Sequence, residues 1–529
     1  MIVAVNNVIC KLREKSNMSQ EQFAELFGVS RQSVQKWESG VSLPDIDKLI
    51  KISKRFDISL DALIFDSDTR ITEELKTTKE LKPQYANIHV WESYYSTLGL
   101  TTEYQQSIEE GLDIAQYKDL FDVVTRLPQD EIKKKLGDVL FHIVHNAKTV
   151  EGYKYNEPST LEEIKKFRKA FKFKGVVDSS TLKDKIHGAW MGRICGCLLG
   201  KTVEGIKTDE LIPFLNETNN YPMHRYIRRS DLNDDILNKY KYRFENRCYA
   251  DTADGMPVDD DTNYVVLAQK VIEKYGRYFT SYDMSRSWLS LQSKDAYCTA
   301  ERVAFCNFVN GYEPPESAAY KNPYREWIGA QIRGDYFGYI NPGNPELAAE
   351  MAFRDASISH TKNGIYGEMF VAAMLAIAAT TNDIKTIILG GLAQIPHTSR
   401  LYEAICDVIN QYENGISQED CFAEIHNRYN EYTSHGWCHT ISNAMIVVAS
   451  LLYGKGDYGK SICMSVQTGF DTDCNGATVG SILGLAFGTK CIDEVWTKPI
   501  NNKLHTSIFG VGTIKITDAV ETTMKHIKL

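Results

Sequence analysis

The stretch Gly469-Phe470-Asp471-Thr472-Asp473-Cys474-Asn475-Gly476-Ala477, followed by further glycines at 480, 484 and 488, decides how this 529-residue chain is read. Glycine at every fourth position gives a helix one bare stripe, which lets another backbone approach closely and carries the acidic loop at its start inward. A second acidic knot stands far upstream, Val258-Asp259-Asp260-Asp261-Thr262, and runs directly into Tyr264-Val265-Val266-Leu267. Consecutive carboxylates beside apolar residues repel one another and lose water, so they need partners. Ordinary helix capping explains Asp and Thr in such places. Two knots, one leading a small-residue stripe, point instead to a hard divalent cation with an oxygen shell, such as Mg²⁺.

Further motifs occur in a fixed order. His187-Gly188-Ala189-Trp190-Met191-Gly192-Arg193-Ile194-Cys195-Gly196-Cys197-Leu198-Leu199-Gly200-Lys201-Thr202-Val203-Glu204-Gly205 resembles the G-D-A-L-G-x-x-x-E opening helix of the ADP-ribosylglycohydrolase family. The two knots match that family's T-D-D-T and D-x-D-T loops. Ile328-Gly329-Ala330-Gln331-Ile332-Arg333 is similar to its glycine-rich substrate loop, and Ser357-Ile358-Ser359-His360 to its S-x-x-H segment. The likeness covers roughly residues 182–490.

The resemblance implies an all-helical hydrolase with two Mg²⁺ ions that cleaves an N- or O-glycosidic bond at ribose C1. Asp259, Asp260, Asp261, Asp471 and Asp473 stand at its metal ligands. Glu204, Asp260 and Asp261 are the candidates for activating water. Arg333 and His360 fall at its substrate positions, with Asn363, Gly364, Tyr366 and His439 as further groups to contact an ADP-ribosyl- or nucleoside-like molecule. Three departures bear on that inheritance: Asp259 and Cys474 replace threonines, and Cys197 replaces an aspartate. A thiol is a soft partner for Mg²⁺, so the second ion is expected to have fewer protein ligands.

At the amino terminus, Ser19 and Ser30 read as helix caps with Gln22 and Ser33 three residues on, and Gly28 supplies the tight turn between two short helices. Five helices are expected, around Asn7–Glu14, Gln20–Phe27, Arg31–Ser39, Asp45–Phe56 and Leu60–Phe65. Leu12, Phe23, Leu26, Val29, Val34, Leu49, Ile52 and Leu63 should form their core. The run from Met18 to Glu38 resembles the lambda-repressor-like (Cro/C1, XRE) helix-turn-helix family. That likeness implies DNA as a partner, with Arg31, Gln32 and Gln35 at base edges and Gln20 and Lys36 near phosphates. Residues 1–66 carry nine basic and nine acidic side chains, so binding would use a local cluster of Lys11, Arg13, Lys15, Arg31 and Lys36. Repressor-like domains work on paired half-sites, which makes a homodimer the expectation.

The fold class is therefore all-α, in four parts: a helix-turn-helix domain over 1–66, a polar linker over 67–84, a helical segment without assignable chemistry over 85–180 and a large orthogonal helical domain over 181–529. Helical periodicity is strongest at Tyr264–Tyr275, Pro345–Arg354, Glu368–Ala379, Arg400–Tyr412 and Thr440–Tyr453. His435 and His439 are four residues apart around Cys438, without the glutamate of a zinc-protease motif. Trp327 and Tyr336 are expected in the core. Twelve cysteines without a CxxC pair or a signal-like start point to reduced thiols in the cytoplasm. The apolar run Phe370–Ala379 falls short of the about 20 residues that span a bilayer. A net charge of −9 excludes nonspecific coating of nucleic acid by the whole chain.

Overall fold

The computed structural model describes residues 2–58, 60, 63 and 89–528, with side chains from Val5 onward. The chain divides into two compact units, 1–87 and 88–529. The expected linker over 67–84 lies outside the described residues, as does most of the fifth helix of the first unit.

In the first unit four helices run Ile2–Lys15, Gln20–Phe27, Arg31–Glu38 and Ile46–Phe56. Local chemistry sets their ends. Ser19 and Gln22 close a reciprocal capping box, and Gly28 adopts the left-handed conformation (φ 63°) in which the second helix stops. Ser30 accepts the Ser33 amide and Asp45 the Lys48 amide. The core gathers Phe23, Phe27, Val34, Trp37, Ile52 and Leu63. Leu26 does not join it and stays 41% exposed, because Phe27 rather than Leu26 completes the inward stripe begun by Phe23 and Ala24.

The second unit is helical apart from one short antiparallel ladder, Lys503–His505 with Thr513–Lys515, among the described residues. The expected helices extend to Asp260–Tyr275, Pro345–Ala356, Lys362–Ala378, Arg400–Glu413 and Thr440–Gly454. No described helix is long and apolar enough to cross a membrane.

Two helices, Leu182–Lys201 and Thr472–Phe487, run antiparallel through its centre. Their contact is glycine on glycine. A Cβ at Gly188, Gly192 or Gly196 would lie 2.3, 2.2 and 2.0 Å from the carbonyl oxygens of Gly484, Gly480 and Gly476. One at Gly200 would meet the Thr472 oxygen at 2.2 Å. Reading the 476–488 stripe alone missed the complementary glycines at 188, 192, 196 and 200. With both faces bare the backbones touch, so the C-terminal end of one helix is set against the N-terminal end of the other.

Residues 89–180 belong to this same compact unit. Helices Thr97–Glu109, Lys118–Thr125 and Glu131–Asn146 bury Leu100, Phe121, Val124 and Leu140 among themselves. The first of these also faces the rest of the unit with charge. Arg325 pairs with Glu103 at 2.9 Å and Glu110 at 2.7 Å, and Lys362 with Glu110 at 2.6 Å. Arg400 joins Glu157 at 2.8 Å to Glu326 at 2.7 Å, and Gln106 donates to Glu326 at 2.7 Å.

Candidate active site

The glycine contact delivers Lys201 and Glu204, at and just beyond the end of the first helix, to the start of the second, where Asp471 and Asp473 stand. Gly469 and Phe470 both take left-handed backbone (φ 76° and 59°), turning Asp471 inward. Such a conformation strains a residue as bulky as phenylalanine, and burial of its ring against His426 holds it. Asp259 to Asp261 enter from the helix Asp260–Tyr275, where Asp259 is the N-cap and its Oδ1 accepts the Asp261 amide at 2.9 Å.

Six carboxylates thus converge: Glu204, Asp259, Asp260, Asp261, Asp471 and Asp473. Asp259, Asp261, Asp471 and Asp473 are at most 5% exposed, whereas Glu204 and Asp260 are only half-buried. Two cations face them. Lys201 Nζ lies 2.6 Å from Asp259 Oδ2, and Arg193 lies 3.0 Å from Asp261 Oδ1 while also holding Asp335 at 2.8 Å. Arg193 donates further to the Asp261 and Ile332 carbonyls, which ties three segments to the first glycine helix.

This is too little positive charge, and the acidities register it. Burial and then Asp259 and Asp473 push Asp260 up to about 7. Asp473 first, then burial, raises Glu204 well above the usual carboxylate range. Burial, followed by the Asp473 charge, does the same to Asp471, which shares a hydrogen bond with Asp473. Asp261 is also raised, by burial, despite Arg193. Asp261 Oδ2 and Asp473 Oδ1 are buried and accept no hydrogen bond. Bare, mutually repelling, buried oxygens fit a divalent cation. Asp261, Asp473 and Cys474 bring ligand-type atoms within 4.8 Å of one another, and so do Cys197, Asp259 and Asp261.

Glu301 and the substrate-side residues have other surroundings. Glu301 is 1% exposed, is pushed up to about 7 chiefly by burial, and keeps Oε2 unpartnered. No sequence signal marked it; the trace it leaves is Gly329, whose Cβ would lie 1.8 Å from Glu301 Oε1. Arg333 is buried among Asp355 at 2.5 Å, Glu301 at 3.1 Å and Glu368 at 3.5 Å, and its Nη2 donates to Ser359. His360 Nδ1 pairs with Ser359 Oγ at 2.8 Å. Asn363 donates to Glu157 and Glu326, Tyr366 donates to the Pro158 carbonyl, and Gly364 packs its Cα against the Arg325 carbonyl. Arg333, Asn363 and Tyr366 thus hydrogen-bond within the protein interior, His360 Nε2 is buried without a partner, and Trp327 and Tyr336 are buried.

A third cluster, Glu109 with His435 and His439, also meets ligand distances. Its hydrogen bonds give it a different role. Trp327 Nε1 donates to His435 Nδ1 at 3.1 Å, so the ring proton sits on Nε2, which faces Glu109 Oε2 at 3.0 Å. His439 Nδ1 accepts the Ile441 amide at 3.1 Å, capping the helix Thr440–Gly454, and its Nε2 faces Glu326 Oε2 at 3.6 Å. His435 thus joins the second unit's later helices to Glu109 by a hydrogen bond, while His439 Nε2 is buried without a hydrogen-bond partner.

In the first unit Arg31, Gln32, Gln35 and Lys36 are exposed together on the helix Arg31–Glu38. Gln20 instead donates to Glu38 Oε2 at 2.7 Å, and Arg13 pairs with Glu38 Oε1 at 2.6 Å. Arg13 therefore leaves the expected basic cluster and serves as an internal brace.

A model of the ADP-ribosylglycohydrolase family matches residues 178–523, more than half of the chain. The chain belongs to this family. A helix-turn-helix family model matches residues 11–63. The amino-terminal region is similar to the HTH-type transcriptional activator BcrR of Enterococcus faecalis, 36% identical over 84 residues, covering 16% of this chain and 41% of that protein. It is also similar to the cryptic phage CTXphi transcriptional repressor RstR of Vibrio cholerae, 41% identical over 51 residues, covering 10% of this chain and 46% of that protein. The chain thus spans less than half the length of these two relatives. A solved ADP-ribosylglycohydrolase-related protein complex is similar over 66% of this chain and 98% of that one, at 16% identity and a TM-score of 0.41.

Proposed function

We propose that the second unit is a Mg²⁺-dependent glycohydrolase that cleaves an ADP-ribosyl or related ribosyl glycosidic bond, and that the first unit directs it to specific DNA. The observation that carries the catalytic part is the undercharged acidic cluster in a member of this family, with Glu204 and Asp260 still reachable from solvent. A divalent cation bound there would polarise ribose hydroxyls and acidify water. Asp261, Asp471 and Asp473 are the groups that would hold it. Asp473, burial, Asp259 and Asp260 raise the proton affinity of Glu204, and burial, Asp259 and Asp473 raise that of Asp260. Such a pair takes a proton from water more readily than an isolated carboxylate does. As the water oxygen bonds to C1, the bond from C1 to the leaving group breaks. The proton on the carboxylate pair is then available to that group. Asp261, locked on Arg193 and fully buried, orients the site rather than exchanging protons with solvent.

The test is mass-spectrometric hydrolysis by the full chain with Mg²⁺ across ADP-ribosyl peptides, ADP-ribosylated nucleic acid, ADP-ribose derivatives and simple nucleosides. Release of a sugar-containing product that Asp473→Ala cannot make is the expected result. Silence across the panel would sink this reading.

The exposed row on the helix Arg31–Glu38 favours a second reading, a transcriptional regulator whose hydrolase-like unit senses an ADP-ribose- or nucleoside-like ligand. Ligand-induced stabilisation without turnover would support it. In either case Gln32→Ala should relax sequence preference, while Lys36→Ala should weaken all sites alike and flatten the salt dependence. Equal DNA binding by both variants and the parent would remove this helix from the interface.

A further inference from the structure

We propose that the ammonium group of Lys201 stands in for one divalent cation, so that the acidic site takes a single ion on its Asp261–Asp473 side. The inference rests on the metal-dependent reading above and specifies its stoichiometry.

Asp259 is the reason. Its Oδ2 receives Lys201 Nζ at 2.6 Å and its Oδ1 receives the Asp261 amide at 2.9 Å, so both oxygens are engaged within the protein. Mg²⁺ binds oxygen at about 2.1 Å. An ion on Asp259 Oδ2 would therefore sit almost in contact with the ammonium, two like charges crowded on one buried carboxylate. Lys201 is also poorly placed to leave. It ends the helix Leu182–Lys201, and the preceding Gly200 is pressed on the Thr472 carbonyl and the Asp473 amide. Its side chain is 24% exposed and lies among Asp259, Asp473 and Cys197.

The two ligand trios are consequently unequal. Cys197, Asp259 and Asp261 form one. With both Asp259 oxygens engaged and a soft thiol as its third member, it offers a hard cation little beyond Asp261. The other trio, Asp261, Asp473 and Cys474, contains both buried carboxylate oxygens of the cluster that accept no hydrogen bond, Asp261 Oδ2 and Asp473 Oδ1. Asp471, also buried and two residues before Asp473, adds a further carboxylate. Asp261 and Asp473, which keep unpartnered oxygens, share one trio, while Asp259, covered by Lys201, belongs to the other.

Mn²⁺ titration of the full-length, EDTA-stripped protein, with free ion counted by electron paramagnetic resonance, tests this independently of turnover. The parent should bind one Mn²⁺ per chain. Lys201→Ala should bind two and show the exchange-coupled spectrum of neighbouring ions, and Lys201→Arg, which keeps the charge, should still bind one. Lys201→Met, which retains the aliphatic stem, replaces the alanine variant if that fails to give a cooperative melt. Two Mn²⁺ in the parent would overturn the inference and leave the metal-dependent reading standing. A single Mn²⁺ in a folded Lys201→Ala or Lys201→Met variant would also overturn it. No Mn²⁺ in the parent would overturn both.

Discussion

Two of the carboxylate-rich clusters buried in the second unit are built to opposite specifications. Where residues 89–180 join the rest of the unit, Arg325, Lys362 and Arg400 are interleaved with Glu103, Glu110, Glu157 and Glu326 at 2.6 to 2.9 Å. Against the pull of burial, Arg325 and Lys362 hold Glu110 below the usual carboxylate range, and Arg400 holds Glu326 well below it. Glu103 is raised, by burial. At the glycine-helix contact, six carboxylates face Lys201 and a shared Arg193, and the affinities for protons move upward. A buried cluster that contains its own counter-charges is a joint. One that lacks them is completed from outside by protons, a cation or a substrate.

The sharpest way to break the contrast is to unbalance the joint. Arg325→Met leaves Glu103 without its ion-pair partner and Glu110 with Lys362 alone, and should cost the second unit about 3–5 kcal/mol, read from its denaturant-induced unfolding. Glu110→Gln is a milder break that removes charge from both Arg325 and Lys362, with an expected loss of about 2 kcal/mol in the same measurement. At the other cluster the sign should reverse. Without divalent cations, Asp473→Asn relieves repulsion and should stabilise the unit by on the order of 1 kcal/mol, while abolishing the rise in melting temperature that Mg²⁺ gives the parent. A loss of stability on that change would make the cluster a joint like the first.

The smallest effect expected is that of pH. Asp260, pushed up to about 7, and the likewise raised Glu204 and Asp471 bind protons more tightly folded than unfolded. Protonation therefore favours the folded state, and stability falls as pH rises from the unfolded carboxylate value of about 4 through about 7. Thermal melts in EDTA should drop by a few degrees between pH 5.5 and 8. Mg²⁺ should flatten that slope, and a melt independent of pH in EDTA would mean that the cluster carries less repulsion than its geometry indicates.

Much of this was legible in the residues because it is local. The helix ends at Ser19, Gly28 and Ser30, the acidic knots and the 476–488 stripe are each written within a few positions. What failed to show was pairing at a distance. Asp259 reads as a metal ligand, and that Lys201, 58 residues away, pairs with it appears only in the fold. Arg333 and Asn363 read as substrate contacts, and their pairing with Glu301, Asp355, Glu157 and Glu326 appears only in the fold. Residues 89–180 offered no chemistry because Glu109 and Glu110 acquire meaning only opposite His435, Arg325 and Lys362. Arg13 entered the basic cluster by its charge and left it by its contact with Glu38.

By itself the sequence determined the helical class, the repressor-like amino terminus and the concentration of carboxylates at two helix starts, since periodicity, caps and charge runs are properties of neighbours along the chain. Only the tertiary structure decided which of those carboxylates are neutralised from within and which remain open. Coulomb energy and desolvation depend on distance and burial in space, and here both are fixed by two glycine faces that let distant backbones touch.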